Sequence, residues 1–229
     1  MLRQMARPGS ERPIPPRLPP ELPSEPDLRL TAGSEVNGLT IEGDFSDANL
    51  EDLAVEDSHI VHSSFIATDL SRLRLVDVLV EGSDLSGADM EEASFTRVAF
   101  KGCRMSGALF PRARMQDVIF DEVKLNGVNF RMSAGDRVLF DNVNLERAEF
   151  YSAHLTAAWF FDCDLSGADV SQAKLPGARF HGSALSEIKG GEYLRDVVIE
   201  RSQVLPLATR VFAALNIRVE DERNAPSAE

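Results

Sequence analysis

FDCDLSGADVSQAKLPGARF, residues 161–180, places a large apolar side chain at every fifth position: Leu165, Val170, Leu175 and Phe180. Helices repeat near 3.6 residues and strands at 2.0, so neither element alone has a use for five. Extended outward, the grid runs from Phe45 to Leu185 over 29 positions, and every one is apolar except Gly135. Against a 43% hydrophobic background, such a run has a chance probability on the order of 10⁻⁹. Eleven of the thirteen phenylalanines fall on it, and the phase never slips, which leaves no room for inserted loops. Two residues before each anchor stands a second, mostly small column that includes Ala48, Ser58, Ser63, Thr68, Ser83, Ala88 and Cys103. Each unit therefore turns one large and one small side chain inward and three outward, a short flat side followed by a corner. A fixed repeat of so small a unit signals a solenoid whose neighbouring coils bury a continuous core.

DLSGADMEEASF (residues 84–95) and DLSGADVSQAKLPGARF (residues 164–180) resemble pentapeptide repeat proteins, whose consensus is close to A-(D/N)-L-x-x. The resemblance covers roughly residues 41–188. It implies an all-β solenoid, a right-handed quadrilateral parallel β-helix with four pentapeptides per coil. Residues 20 apart then stack, and about seven coils at ~4.8 Å each give a rod of about 35 Å. Phe100, Phe120, Phe140, Phe160 and Phe180 line up as one aromatic ladder, and Phe110, Phe130 and Phe150 start another. Cys103 and Cys163 share a column but lie three coils apart, about 14 Å, beyond the ~7 Å that a disulfide spans; both are expected to be free, buried thiols. Gly135 predicts a bulge or thin spot, filled by Met132. Leu53 and Leu73 are oversized for the small column, so the first coils should be less regular.

Outside the grid the chain changes character. Eight of the twelve prolines lie in residues 1–26, and residues 1–36 read as a flexible arm. The β-helix is expected over 37–199, a helical element over 200–219 and a disordered tail over 220–229. GGEYLRDVVI (residues 190–199) reads as a last irregular strand. In SQVLPLATRVFAALNI (residues 202–217), Val204, Leu207, Ala208, Val211 and Leu215 share a helical face, with Ser202 as N-cap. This helix either caps the open end of the solenoid or, as the resemblance implies, joins two rods tail to tail as a homodimer. Val204, Leu207, Val211, Phe212 and Leu215 are the dimerisation candidates.

The chain carries a net charge of −13, unfavourable for direct binding to nucleic acid or an anionic membrane surface. No apolar run approaches the ~20 residues of a membrane span, the N-terminus lacks a signal-peptide core, and two cysteines make no disulfide framework. The default expectation is a reduced cytoplasmic protein. There is no phosphate-binding loop, H-E-x-x-H or G-x-S-x-G. His59 and His62 flank an inward anchor with no thiol nearby, and the sequence offers no catalytic residues, cofactor site or metal site. A filled rod has no deep pocket, so the protein reads as a non-enzyme.

Charge is the more informative signal. Residues 41–188 hold 13 Lys/Arg and 25 Asp/Glu, so almost all the excess lies on the rod. One side, anchored by Leu50, Leu70, Met90, Phe110, Phe130, Phe150 and Val170, carries Glu51, Asp52, Asp69, Asp89, Glu91, Glu92, Glu149 and Asp169 against Arg72, Arg112 and Arg131. The following side is balanced. Some pentapeptide relatives bind DNA gyrase or topoisomerase IV by imitating a duplex, and the acidic side is the candidate for that role. The alternative is an acidic surface that only keeps the rod soluble. A second column, Leu79, Ala99, Ile119, Leu139 and Trp159, with Phe161 beside its end, would stack into an outward apolar stripe. Contiguous apolar patches mark interfaces, which suggests a scaffold that docks another protein there. The stripe is otherwise covered by the Pro-rich arm or the C-terminal segment; either way Trp159 is not solvated alone.

Overall fold

The structure, a computed structural model, describes residues 12–25 and 28–218. Eleven short strands form one sheet that winds around the rod axis: β1 (Glu35–Asn37), β2 (Thr40–Ile41), β3 (Ala54–Val61), β4 (Arg74–Glu81), β5 (Ser94–Lys101), β6 (Arg114–Asp121), β7 (Ala134–Asp141), β8 (His154–Thr156), β9 (Trp159–Phe161), β10 (Arg179–His181) and β11 (Val198–Ile199). Every pairing is parallel. The main path, β1-β3-β4-β5-β6-β7-β9-β10-β11, has nine rungs. Eight steps at ~4.8 Å make a rod of about 38 Å. It is one coil longer than the grid alone suggests, because β1 and β11 pair outside it.

The register shows how a period of five closes into a coil. From β3 to β10 each residue pairs with the one 20 positions on, as in Leu75↔Phe95 and Phe120↔Phe140. At both ends the step is 19, as in Val36↔Val55 and Phe180↔Ile199. Four sides are anchored respectively by Leu50, Val55, Ile60 and Phe65 and their repeats. The eight-residue strands β3 to β7 cover the second and third sides and turn the corner between them at a residue of positive φ, such as Asp77 (52°) or Asp117 (57°). The left-handed region is costly for L-residues. It is sustained because the corner amides still bond to the next coil, as Asp52 N–H does to Ser71 O at 2.9 Å. At the corner after the third side, Gly82 (φ 59°) lies so close under His62 that an added Cβ would meet the imidazole Cδ2 at 2.7 Å.

Inside, the anchors are buried and stacked. Phe100, Phe120, Phe140, Phe160 and Phe180 stack at 4.7–5.1 Å with planes within 6°. Phe110, Phe130 and Phe150 stack at 4.9 and 5.3 Å and meet the first ladder edge-on. Both geometries are favourable for aromatic pairs. Polar members of the small column remain hydrogen-bonded, as burial requires. Thr68 Oγ1 donates to Phe45 O at 2.7 Å, and Ser183 Oγ to Phe160 O at 3.0 Å. Cys103 and Cys163 are free and buried, and desolvation pushes their thiols up to about 11 and about 12.

Four sequence expectations need correction. Residues 12–25 are not a free arm: they lie along the rod and bond to it, as described below; residues 1–11 are outside the described part. Gly135 makes no bulge, since its register with Met115 and Leu155 is unbroken; it is the thin spot, only partly buried where Met115 and Leu155 are buried. Met132 does not fill the gap either, being 50% exposed; Val138 and Leu155 lean in so closely that an added Cβ would meet them at 2.8 and 2.9 Å. Ser202 is not the N-cap. A 3-10 turn over Arg201–Gln203 precedes α1 (Val204–Ala214), and its capping box is made by Glu200 and Gln203. Gln203 also donates through Nε2 to Ser183 O at 2.6 Å, tying the helix to the last coil. The 220–229 tail lies outside the described residues.

Candidate interaction surfaces

The first side is less uniform than its composition suggests. Its outward row, read along the isolated bridges, is Asn49, Asp69, Asp89, Leu109, Asn129, Glu149, Asp169 and Lys189. The carboxylates thus form two adjacent pairs, Asp69–Asp89 and Glu149–Asp169, separated by Leu109 and Asn129. Beside the row, Arg72 grips both Glu51 and Asp52, with Nε 2.7 Å from Asp52 Oδ1, and Arg112 grips both Glu91 and Glu92. Arg131 reaches Glu149 at 3.6 Å and stacks on Tyr151. Asp69, Asp89 and Asp169 have no salt bridge among the described residues. Hydrogen bonds from Ser71 hold Asp69 below the ordinary carboxylate range. Partial burial, with the Asp69 charge behind it, raises Asp89. Two like charges one rung apart is an arrangement that an incoming cation relieves.

Counting by sides missed a second acidic edge. Asp121 and Asp141 stack on the third side, with Glu122 and Asp162 close by in charge contact. Burial first, then Asp121 and Asp162, raise Asp141. The outward positions after the Phe ladder carried this signal, but it is diluted because each coil contributes only one or two of its charges.

The apolar stripe is present but not open. Leu79, Ala99, Ile119 and Leu139 occupy one register column ending at Trp159, and all, like Phe161, are only partly exposed. Residues 12–24 run beside it from the C-terminal coils towards the N-terminal ones. The Arg12 guanidinium sits 5.8 Å from the Trp159 ring, whose surroundings also include Arg179 at 5.9 Å and Phe161 at 5.3 Å. Ile14 N–H donates to Asp117 Oδ1 and Arg17 N–H to Asp77 Oδ1, both at 3.0 Å. At the far end Thr40 N–H donates to Pro23 O at 2.8 Å, and Ser24 bridges Thr40.

Asp77 and Asp117 owe their readiness to a corner column of alternating charge. Arg97 holds Asp77 with Nε at 2.7 Å, and Arg137 holds Asp117 at 2.7 and 2.9 Å. Both carboxylates are buried yet kept below their ordinary range by those guanidinium hydrogen bonds. Three residues of polyproline-type chain rise ~9.3 Å at ~3.1 Å each, and two coils rise ~9.6 Å at ~4.8 Å each. An amide every third residue therefore meets a carboxylate every second coil. Prolines occupy 13, 15, 16, 19, 20 and 23 but spare 14 and 17, whose N–H groups are the ones used.

On α1, Leu207 is buried and Val211 packs against the core, so these two dimerisation candidates are committed to the cap. Val204, Leu205, Phe212 and Leu215 face outward. Among the described residues no group of three or more His, Cys, Asp or Glu could hold a metal, and no helix is long and apolar enough to cross a membrane. His59 lies 3.3 Å from Glu81. The depression at Gly135, about 530 Å³, is an open trough lined by Thr96, Arg114, Gln116, Asp136 and His154.

A parallel solenoid built on an unbroken five-residue register is one class of protein. The pentapeptide repeat region family matches residues 93–159, and the pentapeptide repeats (8 copies) family matches residues 74–110 and 163–187. Over these residues the chain is made of pentapeptide repeats. The solved structures to which it is similar include these three. QnrB1, a plasmid-mediated fluoroquinolone resistance protein, is 21% identical over 86% of this chain and 96% of its own, with a TM-score of 0.36. HetL from the cyanobacterium Nostoc sp. strain PCC 7120, involved in heterocyst differentiation regulation, is 18% identical over 72% and 89%, with a TM-score of 0.33. A pentapeptide repeat protein of the Arabidopsis thaliana thylakoid lumen is 18% identical over 63% and 77%, with a TM-score of 0.28. No curated protein matches the chain.

Proposed function

We propose that the protein is a non-catalytic, cytoplasmic protein-binding rod whose first side imitates one edge of a DNA duplex for a type II topoisomerase, DNA gyrase or topoisomerase IV. The observation that carries this reading is the Asp69–Asp89 pair, two carboxylates one rung apart with no salt bridge among the described residues. Glu149–Asp169 repeats the stacked pair four rungs on, with Arg131 3.6 Å from Glu149 and Asp169 without a salt bridge among the described residues. A duplex carries one charge per ~1.7 Å, about 22 over the length of the rod. The rod's net charge is about half that and unevenly placed, so it suits one edge of a duplex rather than the whole. Arg72 and Arg112 neutralise part of the side, which leaves the two pairs as the points that a basic DNA-binding groove would grip.

Supercoiling by purified gyrase, titrated with the protein, tests the proposal. The intact rod should inhibit or protect the enzyme, and a variant with Asp69→Asn, Asp89→Asn, Glu149→Gln and Asp169→Asn should not. Equal effects from both would remove the acidic side from the argument, and no effect up to tens of micromolar would remove the topoisomerase. In the same reading two copies join through the outward Val204, Leu205, Phe212 and Leu215. Sedimentation velocity should show a dimer that Leu205→Lys with Phe212→Lys converts to a monomer; an unchanged species would exclude this joint.

A further inference from the structure

The groove under residues 12–24 has the features of a peptide-recognition site, and its occupant happens to belong to the same chain. We infer that this groove, bounded by the Leu79–Trp159 stripe and the Asp77/Asp117 corner, is a binding site for extended, arginine- and proline-rich segments. Residues 12–24 are its resident ligand, and a partner segment of the same chemistry takes their place.

Three observations carry this. First, the acceptors are fixed by the rod itself. Arg97 and Arg137 orient Asp77 and Asp117, leaving each able to accept one main-chain N–H, and the spacing between them fits one polyproline turn. Main-chain recognition of this kind does not depend on the ligand being part of the same chain. Secondly, Trp159 offers more than the resident segment uses. Its ring takes Arg12, but Nε1 is buried with no hydrogen-bond partner among the described residues, so it can donate to a ligand carbonyl. An aromatic groove flanked by polar groups is a known way of reading a polyproline helix. Thirdly, the resident segment is lightly held. Of its side chains only Pro13 is buried; Arg12, Ile14, Pro15, Arg17, Pro19, Pro20 and Glu21 are exposed. Segments with few buried contacts open locally far more readily than the core does. Opening would expose the stripe and leave two buried carboxylates each short of one donor, a surface ready for replacement by the same chemistry.

The test keeps the full chain. Ile14→Pro with Arg17→Pro removes the two donating amides while preserving the proline-rich character, and both side chains are exposed, so the rod is untouched. Trp159 is the only tryptophan, and its fluorescence reports the end of the groove. In this variant Trp159 emission should shift to the red. A synthetic peptide of residues 12–24 should then reverse the shift saturably. The same peptide with proline at the two amide positions should not. The unaltered protein, whose tethered segment competes at high effective concentration, should bind the peptide roughly tenfold or more weakly. Arg12→Ala alone should give a smaller red shift and intermediate peptide affinity. Absence of saturable binding would overturn the inference. So would equal binding by released and unaltered protein, which would place the peptide elsewhere, or equal binding of both peptides, which would show unspecific apolar contact. A concentration-dependent dimer of the unaltered chain that exchanges residues 12–24 between copies would also overturn it, making a second copy the occupant.

Discussion

Gly135 is the one vacancy in the grid, and repairing it should harm the protein. By pattern alone, an apolar residue at 135 completes the core and should stabilise. The structure gives the opposite sign. An added Cβ would lie 2.8 Å from Val138 Cγ2 and 2.9 Å from Leu155 Cδ2, both buried side chains. Leu155 can retract its terminal methyl, but Val138 is β-branched and stiff at χ1. Overpacking of this kind costs about 1–3 kcal/mol, while replacing glycine in a strand interior returns about 0.5–1 kcal/mol. The net for Gly135→Ala runs from near zero to a loss of about 2.5 kcal/mol. At about 2–4 °C per kcal/mol for a chain of this size, Tm falls by up to roughly 10 °C. Gly135→Leu, the residue type that the repeat calls for, should lose more. Thermal melts by circular dichroism, with Val138→Ala added as a relieving partner, decide the matter. The two substitutions should couple favourably, since the alanine vacates the space that the new Cβ needs. A rise in Tm for Gly135→Ala alone would mean that Val138 and Leu155 yield freely, and would return Gly135 to the status of a packing defect.

Phe140→Ala removes stacks at 5.0 and 4.8 Å and two edge contacts; urea unfolding should show a loss of about 3–5 kcal/mol. Phe45→Ala, at a half-buried end position with one 5.0 Å stack, should cost less than half as much, and equal losses would contradict a ladder that gains strength inward. Because Asp77 and Asp117 titrate below their ordinary range in the folded protein, their contribution is present above pH ~3.9 and lost as pH falls below it. Tm should therefore drop as pH falls below about 4, and Arg97→Met with Arg137→Met should flatten that drop; an unaltered slope would assign the acid sensitivity to other groups. Cys103 and Cys163, pushed up to about 11 and about 12 by burial, should resist a thiol reagent at pH 8 in the folded protein and react at once in denaturant. Rapid labelling of the folded chain would show that the coils open around them.

The solenoid was legible in the sequence. A period of five carried without a slip admits one arrangement of inward and outward positions; stacking at 20 residues, which the resemblance to pentapeptide repeat proteins implied and the strand register bears out, then names the ladders, the free thiols and the columns of charge. These are local rules repeated, and a repeat makes each prediction 29 times over. How outward residues meet things that are not repeats was settled by packing in three dimensions. Arg72 and Arg112 each gather two acids because corner side chains lean across a rung, so the acidic side resolves into two pairs. Val138 and Leu155 close the space at Gly135 by choosing rotamers that no pattern records. The proline-rich segment reads as a free arm because its composition offers little to bury. It docks because its amides at 14 and 17 match the spacing of Asp117 and Asp77, a coincidence of two helical rises that neither segment shows alone.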